Sequence, residues 1–163
     1  MAALQLTRTP GDRRSYALGG VGTLRLQGFA SRTATVEAGG ARWRISRRGL
    51  LQRRIEATDE AGVTVGEFVP RSLRRGGTLR WDGRDFALRG ASQWRERYVL
   101  ADGDREFAVI EGKSWGRRPV KVTIEEAAAV EPGLLLFACF VVRGLAEDAT
   151  AAAGGGATAA SGG

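Results

Sequence analysis

Two pairs of aspartates are the residues of this chain best suited, by type and spacing, to acid–base chemistry. They are Asp82 with Asp85 and Asp102 with Asp104, and each pair brings two carboxyl groups within a few residues of one another. Such a pair can divide the roles of general acid and general base. Both pairs, however, fall in Asp-Gly turns, where aspartate is favoured because its side chain hydrogen-bonds the turn backbone. Turn formation accounts for them, so the sequence predicts no catalytic residue and a protein that is not an enzyme.

Other reactive groups are scarce. Histidine is absent, which removes the commonest general base and metal ligand and every Ser-His or Cys-His arrangement. The single cysteine, Cys139, lies in an apolar run, where a buried thiol is expected. The glycines of residues 19–22 form no phosphate loop, because no Lys-Ser/Thr follows them and no helix opens after them. We therefore predict no metal site and no cofactor.

The longest apolar run lies near the C-terminus, at residues 134–145 (LLLFACFVVRGL). Pro132 just before it is a helix-start signal, and residues 134–142 carry no polar side chain. A helix that is apolar all round is buried, and this one is shorter than the roughly 20 residues that span a bilayer. We predict a core helix near residues 132–146, with a membrane anchor as the alternative.

The rest of the folded chain has the pattern of short antiparallel strands. Apolar and polar residues alternate most clearly in residues 33–37, 63–65 and 120–124, and Gly, Asp and Arg clusters separate the runs. Twelve strands are predicted, at residues 4–8, 15–18, 23–28, 33–38, 42–46, 51–58, 63–69, 78–82, 85–89, 94–100, 106–111 and 119–125. This pattern indicates an antiparallel barrel or sandwich in one domain, residues 1–148, and the small residues 149–163 indicate a disordered tail.

An internal repeat accompanies the strands. Residues 42–82 match residues 84–125 at a shift of about 42, with Ile45 opposite Leu88 and Asp59 opposite Asp102. Each unit reads as four strands with an acidic turn and a basic loop. Chance similarity among Arg/Gly-rich strands is the alternative explanation.

Many antiparallel strands followed by the helix PGLLLFACFVVRGL resemble the tubby-like superfamily, most closely the LURP-one-related family, with the phospholipid scramblases as cousins. The resemblance covers about residues 4–148. It implies a closed barrel of about twelve strands threaded by the C-terminal helix, which would fill a lumen too wide for the strand side chains. Tubby proteins bind phosphoinositides, and scramblases carry an acidic calcium-binding segment that this sequence lacks. No functional residue is carried over from either relative.

The charge of the chain is basic and uneven. Lysine and arginine number 25 against 18 aspartates and glutamates, a formal charge of +7, and residues 1–58 alone carry +8. A basic half suggests an anionic partner. The N-terminus has no apolar segment of the secretory kind, and the lone cysteine fits a reducing compartment, so we predict a cytoplasmic protein.

The order of charges along the connections is the most informative functional pattern. In an up-and-down antiparallel chain, alternate connections lie at opposite ends of the barrel. One set of connections is predicted to be basic, with Arg32 and Arg89 and the residues we predict to bind an anionic lipid surface. Those residues are Arg47, Arg48, Arg71, Arg74, Arg75, Lys113, Arg117 and Arg118. Apolar tips lie among them at Leu50, Leu51, Leu73 and Trp115.

The other set of connections is predicted to be acidic. It contains Asp59, Glu60, Asp82, Asp85, Asp102, Asp104, Glu125 and Glu126. Basic loops with apolar tips are typical of surfaces that dock on anionic phospholipid headgroups. The alternatives are a protein-interaction or scaffold domain whose charged turns only keep it soluble, scramblase-like lipid handling, and nucleic-acid binding, for which no aromatic stacking platform is evident.

Overall fold

The computed structural model describes residues 2–28, 32–48, 54–71, 76–92, 96–112, 119–125 and 130–158. Twelve strands and one helix lie within these ranges. They are β1 (Ala2–Arg8), β2 (Ser15–Leu18), β3 (Gly22–Gln27), β4 (Thr33–Ala38), β5 (Ala41–Arg48), β6 (Arg54–Thr58), β7 (Thr64–Pro70), β8 (Gly76–Trp81), β9 (Arg84–Ser92), β10 (Arg97–Asp102), β11 (Arg105–Glu111), β12 (Val120–Ile124) and α1 (Pro132–Thr158).

The strands form a closed up-and-down barrel. Each strand pairs antiparallel with its neighbours in the chain, and β1 pairs with β12 from Ala2↔Ile124 to Leu6↔Val120, which closes the sheet. The predicted fold class, an antiparallel closed barrel of about twelve strands, is therefore confirmed. Because no strand is skipped, successive connections lie alternately at the two ends of the barrel.

Alternation along the strands decides which side chains face the lumen. In β12, Val120, Val122 and Ile124 are buried, while Lys121 between them is exposed. The same period of two runs through β4, where Ala34, Val36 and Ala38 are buried. One face of every such strand therefore supplies the barrel lining and the other meets solvent.

The helix α1 lies inside this lining. Residues 134–142 are all buried, at 3% exposure or less, and α1 contacts β3, β4, β7, β8 and β11, which lie on different sides of the barrel. The central hydrophobic helix predicted from the apolar run is confirmed. It fills a lumen that twelve strands leave too wide for their own side chains.

Glycine lets the barrel and the helix approach closely at two points. A Cβ on Gly133, in the first turn of α1, would lie 2.6 Å from Cζ2 of Trp81 and 2.9 Å from Cη2 of Trp43. A Cβ on Gly22, at the start of β3, would lie 2.9 Å from Cδ1 of Leu136. Such distances are shorter than real contacts of this kind, so a larger residue at either position would force its neighbours to move.

The helix extends further than the sequence predicted. The prediction ended it near residue 146 and placed a disordered tail at 149–163, whereas α1 continues to Thr158. Residues 149–153 (ATAAA) are mostly alanine, the best helix former, and lengthening an existing helix needs no new nucleus. Residues 159–163 lie outside the described part of the chain.

Candidate anion-binding rim

The barrel has two ends of different composition. We call "basic rim" the end at which β1, β3, β5, β7, β9 and β11 finish and the next strand begins. We call "acidic rim" the opposite end, where the even-numbered strands finish and α1 starts after β12. Alternate connections along the chain therefore belong to alternate rims, as the up-and-down topology requires.

Charge separates almost completely between the two sets of connecting segments. Counted over the sequence, the six segments that join strands at the basic rim contain 11 basic and 2 acidic residues. The six segments at the acidic rim contain 7 acidic and no basic residues. Because turns in any barrel are charged, the informative feature is the segregation by sign, which solubility alone does not require.

Three of the eight predicted binding residues fall in the described part of the chain, and all three are at the basic rim. Arg47 and Arg48 end β5, and Arg71 follows β7. The other five, Arg74, Arg75, Lys113, Arg117 and Arg118, lie outside the described residues. The predicted apolar tips Leu50, Leu51, Leu73 and Trp115 also lie outside them.

The structure adds arginines that the predicted site omitted. Arg13 and Arg14, in the segment between β1 and β2, are exposed at the basic rim, as is Arg32 just before β4. The backbone N–H of Arg14 donates to Oδ1 of Asp12 at 3.0 Å, which fixes the turn that presents these side chains. The sequence could have indicated Arg13 and Arg14, because the segment between β1 and β2 lies at the same end of an up-and-down barrel as the segments between β3 and β4 and between β5 and β6.

The predicted position of Arg89 is wrong. The sequence placed it in a basic connection, but it lies within β9, opposite Val99 of β10. Its guanidinium donates a hydrogen bond to the backbone carbonyl of Gly103, in the turn between β10 and β11 at the acidic rim. The predicted strand stopped at residue 89, whereas β9 continues to Ser92, so Arg89 belongs to the wall of the barrel.

Several arginines of the outer wall pair with carboxylates on neighbouring positions. Arg42 pairs with Glu37 at 2.7 Å, and Arg80 pairs with Asp85 at 2.8 Å. The hydrogen bond from Arg80 lowers the pKa of Asp85 below its ordinary value. Arg48, at the edge of the rim, pairs with Glu56 at 3.0 Å. Exposed pairs of this kind are weak, and the strands still carry 13 basic against 7 acidic residues.

Arg47 has a different environment from the exposed rim arginines. It is half-buried, and its Nη2 donates to Oδ2 of Asp148, near the end of the described side chains of α1, at 3.1 Å. The two side chains are 23% and 27% exposed. The predicted binding residue Arg47 thus contacts the helix and is only partly exposed to solvent.

The acidic rim holds the start of the helix in place. Nε1 of Trp81 donates to Oε2 of Glu131 at 2.9 Å, and the backbone carbonyl of Glu131 accepts the first helical hydrogen bond, from Leu135 N–H at 3.0 Å. Trp81 also packs on Trp43 and on Phe137, with ring centroids 5.6 Å apart in each case. Aromatic side chains therefore pack around the first turn of α1 at this rim.

The aspartates considered for acid–base chemistry lie at the acidic rim, Asp82 and Asp104 in turns and Asp85 and Asp102 at the adjoining strand ends. Asp82 and Gly83 have φ values of 50° and 77°, and two successive positive φ angles are typical of a type I′ hairpin turn. Asp102 forms an ion pair with Arg84 at 2.8 Å. Asp85 and Asp102 therefore each have an arginine partner, and Asp82 has a turn conformation that explains its residue type.

Comparison with known proteins assigns no family, since no family model, curated protein or solved structure matches the chain. In the ranges that the structure describes, no helix is long and apolar enough to cross a membrane. The same residues include no group of three or more histidine, cysteine, aspartate or glutamate side chains arranged to hold a metal ion. The segregation of charge between the two rims is therefore the feature from which a function can be inferred.

Proposed function

We propose that this protein is a non-enzymatic, cytoplasmic module that docks on an anionic phospholipid surface through its basic rim. The observation that carries the proposal is the segregation of charge: 11 basic residues in the segments at one end of the barrel and none in those at the other. Segments at one end of a rigid barrel can all meet a flat surface at once. The strands also carry more basic than acidic residues, 13 against 7, but these basic residues are spread over nine strands around the barrel and several pair with carboxylates.

The strength of such docking comes from many small contributions. A basic residue near an anionic membrane surface contributes about 1 kcal/mol, and the attraction fades within a Debye length of about 8 Å at physiological salt. Exposed rim residues such as Arg13, Arg14, Arg32 and Arg71 stand where they could contribute together. We therefore expect binding that depends steeply on salt and on the fraction of anionic lipid.

Membership of the tubby-like superfamily, near the LURP-one-related proteins, is part of the same proposal. A barrel of twelve strands around a C-terminal helix is the architecture that the resemblance implies. The proposal takes from it only that barrels of this kind can serve at lipid surfaces. The residues proposed to bind come from the present chain alone.

A protein partner with an acidic surface is the second candidate. The same arginines would attract carboxylates as well as lipid phosphates, and the segregated charges would orient such a partner. The two candidates differ in one respect that can be measured: only the first binds vesicles that contain no protein.

The test is co-sedimentation with vesicles of phosphatidylcholine alone and of phosphatidylcholine with phosphatidylserine, at physiological salt. A rim variant changes five predicted binding residues to Gln, namely Arg71, Arg74, Arg75, Arg117 and Arg118. A wall variant changes five exposed strand residues to Gln, namely Arg25, Arg42, Arg44, Arg80 and Lys121. Each variant lowers the formal charge from +7 to +2, so net charge is matched.

The proposal predicts that the wild type sediments only with phosphatidylserine vesicles. The rim variant should lose at least about a hundredfold in partitioning, and the wall variant less than about tenfold. Equal losses in the two variants would mean that net charge matters and the rim does not. No binding by a folded wild type would favour the protein partner.

A further inference from the structure

The inward side of the basic rim contains a guanidinium in contact with the helix. Along β5, Trp43, Ile45 and Arg47 occupy alternate positions on the lumen side, and Arg47 is opposite the buried residue Ile55 of β6. A charged residue at a lining position is unusual, because burial of an uncompensated charge is costly. Arg47 therefore needs a partner at the point where α1 leaves the barrel.

Asp148 is that partner, and the helix makes room for the contact. Nη2 of Arg47 lies 3.1 Å from Oδ2 of Asp148. A Cβ on Gly144, one turn earlier in α1, would lie 3.2 Å from the same Nη2, so the absence of a side chain at residue 144 leaves space for the guanidinium. The arrangement is a site for one oxyanion, formed by a strand arginine over a helix glycine and occupied by a carboxylate of the chain itself.

The pair is open to exchange with a solute. Both side chains retain about a quarter of their exposure, so solvent and solutes reach the pair. Asp148 lies beyond Ala146, which is buried, and Gly144 lowers the helix propensity of this turn. Guanidinium groups bind phosphate oxygens with the same geometry as carboxylates. The position on the basic rim is also where headgroup phosphates would approach.

We infer that Arg47 forms a binding site for a lipid phosphate that Asp148 occupies in the free protein. Asp148 is then an autoinhibitory contact, which a headgroup phosphate of a docked anionic membrane displaces. The inference rests on the proposed function and names one phosphate site within it. This site predicts a result that simple charge attraction does not: removal of the Asp148 carboxylate should strengthen binding more than removal of the neighbouring carboxylate.

Glu147 provides the matched control. It precedes Asp148 in the same helical turn and pairs with Arg143 at 2.7 Å instead of with Arg47. Asp148→Asn and Glu147→Gln each raise the formal charge from +7 to +8. Any difference between them therefore reports the site and not the net charge.

The experiment is co-sedimentation of the full chain with phosphatidylserine-containing vesicles for wild type, Asp148→Asn and Glu147→Gln, with folding checked by circular dichroism. We expect Asp148→Asn to bind about fivefold more tightly than Glu147→Gln, the effect of one additional available basic residue. In an Arg47→Gln background the two variants should bind alike, because the site is gone.

Equal binding of the two single variants would overturn the inference, as would a preference for Asp148→Asn that persists without Arg47. If Arg47→Gln fails to fold, the comparison of the two single variants decides alone. Equal single variants with intact wild-type binding would remove only this site. Failure of the wild type and of both variants to bind vesicles would remove the proposed function as well.

Discussion

At the scale of single residues, the arginines of this chain have three different roles according to position. On the wall, arginines such as Arg42 and Arg80 pair with carboxylates and keep the strands soluble. In the connections of the basic rim, Arg13 and Arg32 are exposed beyond the strand ends. Arg47 faces the helix and pairs with Asp148. The same residue type thus contributes to solubility, to the proposed docking surface or to the helix exit.

Cys139 gives a prediction at the same scale. Burial inside the barrel raises the pKa of its thiol from 9.0 to about 12. Above pH 9 the unfolded chain releases this proton while the folded chain keeps it, so stability falls as pH rises between about 9 and 12. The wild type should lose up to about 1.4 kcal/mol per pH unit relative to Cys139→Ala, measured by urea unfolding at pH 8 and 10.

The comparison with Cys139→Ala cancels the titration of tyrosines and other groups common to both proteins. The folded wild type should also resist thiol reagents at pH 8 and react with them once unfolded. Parallel loss of stability in the two proteins, or rapid labelling of the folded wild type, would contradict the buried position of the thiol.

At the scale of elements, the helix and the barrel depend on each other. The lumen of twelve strands has no core without α1, and an all-apolar helix has no stable place in water without the barrel. The closest fit is at the acidic rim, where Gly133 lets the helix start against Trp43 and Trp81. The helix is therefore part of the core and not an appendage.

A charge on the buried part of the helix should unfold the domain. Leu136 and Phe137 have no exposed surface, and Leu136→Asp or Phe137→Asp would bury a carboxylate with no partner, at a cost comparable to a typical total stability of about 5–15 kcal/mol. We expect loss of the cooperative thermal transition seen by circular dichroism. Val63→Asp, at a site 57% exposed, is the matched control and should stay folded. A soluble, cooperatively folding Leu136→Asp protein would show that the helix is not central.

Much of this element structure could be predicted from the sequence because each signal is local. Alternation in residues such as 120–124 and nine successive apolar residues in 134–142 indicate a two-faced strand and a buried helix without reference to the rest of the chain. The helical state of the alanines after Asp148 was not predicted, because alanine suits both helix and coil. The end of β9 at Ser92 was not predicted either, because strand ends carry no strong signal. The contact of Arg47 with Asp148 spans 101 residues, so only the folded barrel reveals it. The internal repeat stays a prediction.

At the scale of the whole molecule, the barrel is a charged cylinder with opposite signs at its ends. This arrangement follows from the up-and-down topology. Because the chain skips no strand, every second connecting segment lies at the same rim. The sign alternation along the sequence could be seen beforehand, but only the closed order of strands makes it a property of two surfaces. The basic rim is also where α1 leaves the lumen.

The central claim, that the protein meets an anionic membrane with its basic rim, is tested most directly by labelling each rim. Pro10 lies in an exposed turn of the basic rim and Ala61 in an exposed turn of the acidic rim. Pro10→Cys and Ala61→Cys can each be labelled with an environment-sensitive fluorophore, because the native Cys139 is buried and its thiol pKa is about 12.

The measurement is the emission of each labelled protein as phosphatidylserine-containing vesicles are added. The account predicts a blue shift for the label at residue 10, none for the label at residue 61, and reversal of the shift at high salt. A blue shift at residue 61, alone or together with residue 10, would contradict docking by the basic rim, and so would two labels that never shift.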